Sequence, residues 1–321
     1  MNSCNRCLIV AVFFVSTLAA CQSRRDVVIF HAASVSAVFS ELAQAYSKAH
    51  PDERLRLEAS GSQTAARKVA ELNRRADVIV SADTAVLERI LLPEHASWTI
   101  DIATNEMVLV HGAHSRFTEE TTSENWFEVL QRPEVRIGSV DPSLAPIGYR
   151  TLLVWQLAEL HHAPDPHVVS LTSRLREKVL HEHLMADENQ LLALLSSRTI
   201  DYAMMYRSTA EEHHLKMTLL PSEINLGDAK MASTYGRAAV TVEMKHGVST
   251  KLIGSPVVYG LTVPGVAQNP EGAERLIELI LSAPGRRAFE RRGFRPLIPA
   301  RSRYYDLLPP GFRESVERES P

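Results

Sequence analysis

Hydroxyls and free backbone N–H groups recur in this sequence where a strand hands over to a helix. The stretch "GSVDPSLAPIGYRTLLVW" runs from Gly138 to Trp155. "VRIGSV" reads as a strand and "YRTLLVWQLAEL" has helical apolar spacing, with Asp141, Pro142, Pro146 and Gly148 making the turn between them. The first N–H groups of a helix lack intrahelical partners and carry the positive end of its dipole, so such a turn suits an anion. "HAAS" puts Ser34 at a second turn of this kind. "ASGSQTAAR" puts Ser62 at a third, with Ser60 nearby and Gly61 permitting close backbone approach. A serine in any of these places also serves as a plain helix cap, so its type permits anion binding without requiring it. Asp141 reads as the cap of its own turn. Tyr206, in "MMYRS", offers one uncharged donor or simply packs at a strand end. Arg150 either adds positive field near an anion or forms a surface ion pair, and the surface pair is the preferred reading.

These residues need a frame. "DVVIF" (Asp26–Phe30) reads as a first buried strand, and Val35, Val38, Phe39, Leu42 and Tyr46 then recur on one helical face. "LRLEAS", "GSQTAARKVAELNRR" and "ADVIVSAD" continue as strand, helix and strand, an alternation that predicts a parallel α/β sheet. The pattern shifts at "NEMVLVHG" (Asn105–Gly112). A second series follows: "VRIGSV", a helix over 148–160, another over 188–197, and the strand "DYAMMY". "PVVYGLTVP" is a further buried strand, and Pro270–Phe294 reads as two amphipathic helices broken at Pro284-Gly285. Two α/β series imply two lobes, with a ligand between them where strand ends and helix starts meet.

The chain has 321 residues, a net charge near −3 and 45% hydrophobic residues. That composition fits a globular chain with room for two medium domains, and no basic excess points to nucleic acid. The start is "MNSCNRCLIVAVFFVSTLAAC", with Arg6 ahead of an apolar run from Leu8 to Ala20. The run is short for a membrane span and fits a secretory leader. Its end, Leu18-Ala19-Ala20-Cys21, resembles a bacterial lipobox, which implies cleavage before Cys21 and lipidation of that residue. Cys4, Cys7 and Cys21 are the only cysteines, so the domain beyond the leader has no thiol for a disulfide, a metal or catalysis.

The ordered set "VVIFHAASVSAVFSELAQAYSKAHP", "LEASGSQTAARKVAEL", "ADVIVSAD", "PIGYRTL", "IDYAMMYRSTA", "LPSEINLGD" and "GSPVVYGLTVPG" resembles the molybdate/tungstate-binding proteins of ABC importers, especially their archaeal branch. The resemblance spans about Asp26 to Phe294. It implies a type II periplasmic-binding-protein fold, two α/β lobes joined by crossover segments and closing on a tetrahedral oxyanion. The expected division is a signal peptide over 1–20, a tether over 21–25, lobe I over 26–107 plus 236–321, and lobe II over 108–235. The implied partners are molybdate or tungstate, an ABC permease with its ATPase, and a membrane through lipidated Cys21. No cofactor or nucleic acid is expected. The chain is read as a monomer on the periplasmic or extracytoplasmic face of the cell membrane.

Carried over position by position, the resemblance makes Ser34 and Ser62 ligand hydroxyls and Tyr206 the ligand tyrosine. Ile147 falls where the family donates a backbone N–H, and Glu188 or Asn189 falls near another such donor. A glutamate side chain beside an anion is unfavourable, so for Glu188 only the main chain is implicated. The archaeal branch also places two carboxylates on the metal of the oxyanion. Here those positions hold Ala145 and Met205. A dianion beside two carboxylates is repulsive unless metal–oxygen bonds offset it, so losing both predicts a pocket that recognises a four-coordinate oxyanion by hydrogen bonds alone.

Other readings are weaker. His181 and His183 lie two apart on an expected helix and so do not share a face, and His213-His214 has no zinc-motif spacing. No nucleophile elbow, P-loop or dinucleotide fingerprint appears, which argues against an enzyme. A cytosolic regulator would need a DNA-binding segment where the leader stands. A degenerate pocket serving as a sensor or interaction module, or one that takes another oxyanion, fits the changes at Ala145 and Met205.

Overall fold

The computed structural model describes residues 25–243 and 247–319. The leader, the lipobox and Cys21 lie outside the described residues. The chain opens as expected with β1 (Arg25–Ala32), a 3₁₀ turn over Ala33–Val35, α1 (Ser36–Ala49), β2 (Glu53–Ser60), α2 (Ser62–Ala70), β3 (Val78–Ser81) and α3 (Thr84–Leu91). Val35, Val38, Phe39, Leu42 and Tyr46, the periodic face of the sequence, are all buried. β1 is buried at every residue from Ile29 onward because neighbours cover both its faces. β2 instead alternates buried Glu53 and Leu55 with exposed Arg54 and Arg56, as an edge strand does.

β4 (Ile100–Asn105) and β5 (Met107–His111) follow, then α4 (Trp126–Gln131), β6 (Ile137–Val140), α5 (Pro146–His162) and α6 (Leu171–Lys178). Next come β7 (Leu184–Met185), α7 (Glu188–Ser196), β8 (Tyr202–Tyr206), α8 (Arg207–Glu212), β9 (Lys216–Leu219) and α9 (Ala232–Tyr235). The chain ends with β10 (Ala239–Glu243), β11 (Ser249–Ile253), β12 (Val257–Thr262), α10 (Pro270–Leu281), α11 (Ala283–Glu290), β13 (Arg295–Ser302) and β14 (Val316–Arg318).

Two lobes result. One holds a seven-stranded sheet in the order β14-β13-β4-β12-β3-β1-β2, the other a five-stranded sheet in the order β7-β6-β8-β5-β9. The expectation of a parallel sheet needs correction. β1 pairs parallel with β2 and β3, but β12 runs antiparallel to both β3 and β4. In the second sheet β6 and β8 are parallel while β5 opposes β8 and β9. The returning strands come from the far end of the chain and from the lobe crossovers, and an apolar run does not encode direction. The hairpin of β10 and β11, inside the stretch expected in lobe I, packs on α5, where Ala239 N–H donates to Gln156 Oε1 at 2.7 Å.

Two local readings also change. His181–His183 is a 3₁₀ turn rather than part of an α-helix. The break between α10 and α11 falls at Ser282, whose hydroxyl accepts from Gly285 N–H, so Pro284 sits in the first turn of α11. The lobes are joined near Asn105–Met107 and Leu226–Val257. There Met107 N–H donates to Asn225 O and Val257 N–H to Leu226 O, both at 2.8 Å. Glu106 binds Arg207 at 2.7 Å and Asn225 at 3.2 Å across this junction.

Candidate functional site

Ser34, Ser62, Ile147, Glu188 and Tyr206 come from five separated stretches of chain, and all five line one cavity between the lobes. It offers about 230 Å³ of empty space, part of it at the mouth that opens to solvent. Ser62 is 0% exposed, Tyr206 1%, Ile147 2%, Glu188 3% and Ser34 7%, so whatever occupies the cavity is cut off from bulk water. Among the described residues that line it there is no Lys, Arg or His.

Lobe I contributes the turn after β1 and the start of α2. Ser34 stands in the 3₁₀ turn that leads into α1, and its Oγ lies 2.8 Å from Tyr259 Oη. Ser62 is the first residue of α2, behind Gly61, which has no side chain to cap the helix. The Ser62 hydroxyl accepts the Ala82 N–H at 3.0 Å, which leaves its own proton for another partner. Ser60, the last residue of β2, also lines the cavity, and its buried hydroxyl has no partner.

Lobe II contributes the starts of α5 and α7. Ala145 caps α5 without a side-chain bond and Pro146 fixes its first turn, so Ile147 is the first helical residue with an N–H to offer. Asp141, as expected, binds its own turn, its Oδ1 accepting from Ser143 N–H at 2.8 Å. α7 is capped by Asp187, which accepts from Gln190 N–H at 3.1 Å. Glu188 follows, and its Oε1 accepts the Tyr206 N–H at 3.2 Å. Its Oε2 is buried without a partner, as is Thr209 Oγ1. Burial, with Glu212 and Asp187 adding to it, pushes the Glu188 carboxyl up to about 8. Tyr206 ends β8, and burial raises its phenol well above its ordinary value, so it is a neutral donor.

Ala145 and Met205, the positions where the resemblance implies carboxylates, behave differently. Ala145 lines the cavity, whereas Met205 is fully buried in β8 and is not among the lining residues. Neighbouring strand residues face opposite ways, so with Tyr206 turned to the cavity Met205 turns from it.

Arg150 corrects the surface reading. Its side chain is 2% exposed. Its Nη1 donates to Ala82 O at 2.6 Å and to Tyr206 Oη at 2.8 Å, and its Nη2 lies 3.4 Å from Asp83 Oδ2. Burial works against its charge, but the Tyr206, Asp83 and Tyr149 oxygens outweigh that and raise its pKa. The sequence held one signal for this. Arg150 is the lone charge in a helical stretch, Pro146 to Trp155, in which every residue is buried.

The lobes meet directly around the cavity. Gln63 Nε2 donates to Pro142 O at 3.3 Å and Arg67 Nη1 to Ser143 O at 3.2 Å. The Tyr149 hydroxyl donates to Asp83 Oδ2. A Cβ on Gly61 would fall 2.9 Å from Ala145 Cβ and closer still to the Leu144 carbonyl, so only glycine allows this approach.

Residues 27–295 match the family model described as bacterial extracellular solute-binding protein. An uncharacterized solute-binding protein of Petrotoga mobilis is 39% identical over 269 residues, covering 84% of this chain and 83% of its own length. The molybdate/tungstate-binding protein WtpA of Pyrococcus abyssi is 32% identical over 292 residues, covering 84% and 83%. Among solved structures, the periplasmic molybdate-binding protein of Azotobacter vinelandii matches with a TM-score of 0.59 at 15% identity, over 84% of this chain and 98% of that one. The match over most of the chain and the identity to these relatives place it, with its two lobes, in the family of bacterial extracellular solute-binding proteins.

Proposed function

We propose that the inter-lobe cavity holds a tetrahedral oxyanion, molybdate or tungstate, by hydrogen bonds alone. We further propose that the chain works as a lipid-anchored monomer on the extracytoplasmic face and hands its ligand to an ABC permease. The family to which it belongs binds solutes for transport and is not an enzyme family.

The supporting observation is convergence. The Ser34, Ser60, Ser62 and Tyr206 hydroxyls and the starts of α2, α5 and α7 all border one small buried space. A tetrahedral dianion presents four acceptor oxygens and donates nothing. Hydroxyls and helix-start N–H groups from both lobes meet it with neutral donors and oriented dipoles. The smaller sulfate ion would leave some of these donors at poor distances. The relative from Pyrococcus abyssi, named for binding molybdate and tungstate, agrees with this ligand class.

Calorimetric titration with molybdate, tungstate and sulfate tests the reading. Tight binding of the first two and weak binding of sulfate is the expected result. Hydrogen bonds to a charged group contribute about 1.5–3 kcal/mol each, so Ser34→Ala combined with Ser62→Ala should weaken binding about 100-fold or more. Affinity within a few-fold of the parent would show that the site is misassigned. X-ray absorption on the loaded protein should show a four-coordinate metal. A six-coordinate metal would overturn recognition by hydrogen bonds alone.

A further inference from the structure

Arg150 stands just behind the cavity wall and makes contacts that a buried counter-ion would not need. Its charged partner, Asp83, is its longest contact, 3.4 Å from Nη2, and Nη2 completes no hydrogen bond. The two hydrogens of Nη1 go to uncharged oxygens, Ala82 O in lobe I and Tyr206 Oη in lobe II. Each of these two partners leads to a residue of the proposed site.

The Tyr206 hydroxyl has one proton and two lone-pair directions. Arg150 occupies the acceptor side at 2.8 Å, and no acceptor within the described residues takes the Tyr206 proton. The remaining direction for that proton is the cavity, which Tyr206 lines. On the other lobe, Ala82, whose carbonyl receives Arg150, gives its own N–H to Ser62 Oγ. Ser62 is thereby occupied as an acceptor too, and its proton is free to donate. A single guanidinium thus connects two cavity hydroxyls on opposite lobes, each accepting one hydrogen bond and each with its proton left to give.

We infer that Arg150 is a positioning residue for oxyanion binding: it aims the Tyr206 hydroxyl proton into the cavity and, through Ala82 O, ties that alignment to closure of the lobes. The inference rests on the oxyanion reading of the site.

The test uses the full chain, with Arg150→Lys, Arg150→Met, Tyr206→Phe and the Arg150→Met/Tyr206→Phe pair, each checked for folding by thermal melting. Molybdate is titrated into each by calorimetry. One well-aimed donor to a charged ligand corresponds to about a 10- to 100-fold change in affinity. Arg150→Met and Tyr206→Phe should each lose an amount of that order. The pair should lose little more than Arg150→Met alone, because the phenol no longer points its proton once the guanidinium is gone. Arg150→Lys should recover part of the loss, since it keeps the charge but lacks the planar fork. Losses that multiply in the pair, or an Arg150→Met variant that binds as the parent does, would overturn the inference.

Small-angle scattering of the unliganded proteins gives a readout that does not depend on the ligand. Arg150→Met should show a larger mean radius than the parent, and an unchanged radius would overturn the link to closure. A parent chain that takes up no oxyanion at all would refute the ligand assignment. In that case the scattering still decides whether Arg150 holds the lobes together.

Discussion

Glu188 brings an acidic side chain to the edge of a space proposed to hold a dianion. Its ordinary value is 4.5, and burial moves it up to about 8 in the folded chain. The native state therefore holds a proton that the unfolded state has released across the interval between these values. The sign follows from linkage. This group's contribution to stability is full below about 4.5 and is lost as pH rises through about 8. Glu212 and Asp187 push in the same direction, while the Tyr206 N–H and the neighbouring Thr209 hydroxyl push against it. Glu188→Gln keeps the shape and stays neutral. It should bind molybdate about as well as the parent at pH 6 and lack the decline in affinity expected of the parent above about pH 8. A parent whose affinity does not change between pH 6 and 9, matched by the variant, would count against a neutral Glu188. Stability against pH must be read as the difference between variant and parent. Asp101, which does not line the cavity and is moved up to about 7 mainly by burial, titrates in the same window.

At the scale of elements, the approach of α2 to the turn before α5 sets how far the lobes can close. Gly61 has an ordinary backbone angle, with φ at −61°, so a side chain there strains nothing locally. Its only obstacle is the other lobe, at Leu144 and Ala145. Gly61→Ala should hold the lobes apart and weaken oxyanion binding at least about 10-fold in calorimetric titration, since overfilling a tight contact typically costs about 1–3 kcal/mol. Equal affinity in the variant would mean that the bound form does not close this far. The elements themselves were largely legible. The helical face from Val35 to Tyr46 repeats at helical spacing and is buried, and the run at β1 is apolar because it is covered on both sides. The hairpin of β10 and β11 was not read. Its strands "AVTVE" and "STKLI" are only five residues each and half exposed, and the alternation of the first is too short to stand out.

At the scale of the whole molecule, the candidate residues were easier to find than the network that holds them. Ser34 and Ser62 sit at strand–helix handovers that their turn residues announce, whereas Ile147, Glu188 and the ligand role of Tyr206 came only from the resemblance; all five line one cavity. Arg150, Asp83 and Tyr259 could not be placed this way. Their part depends on contacts between segments about 50 to 225 residues apart, as in Arg150 to Tyr206 and Ser34 to Tyr259. The mixed strand directions escaped for the same reason, because β12 joins the first sheet from more than 150 positions beyond its neighbours β3 and β4.

The close fit of Gly61 against Leu144 and Ala145 also governs time. With the lining residues so little exposed, an ion inside has no way out while these surfaces touch. Escape then waits for the lobes to part, and the clock belongs to the protein rather than to the ion. Molybdate and tungstate should leave at one common rate in stopped-flow chase experiments, even where their equilibrium affinities differ, with the difference carried by capture. Two well-separated departure rates would mean that the ion, and not the door, sets the pace.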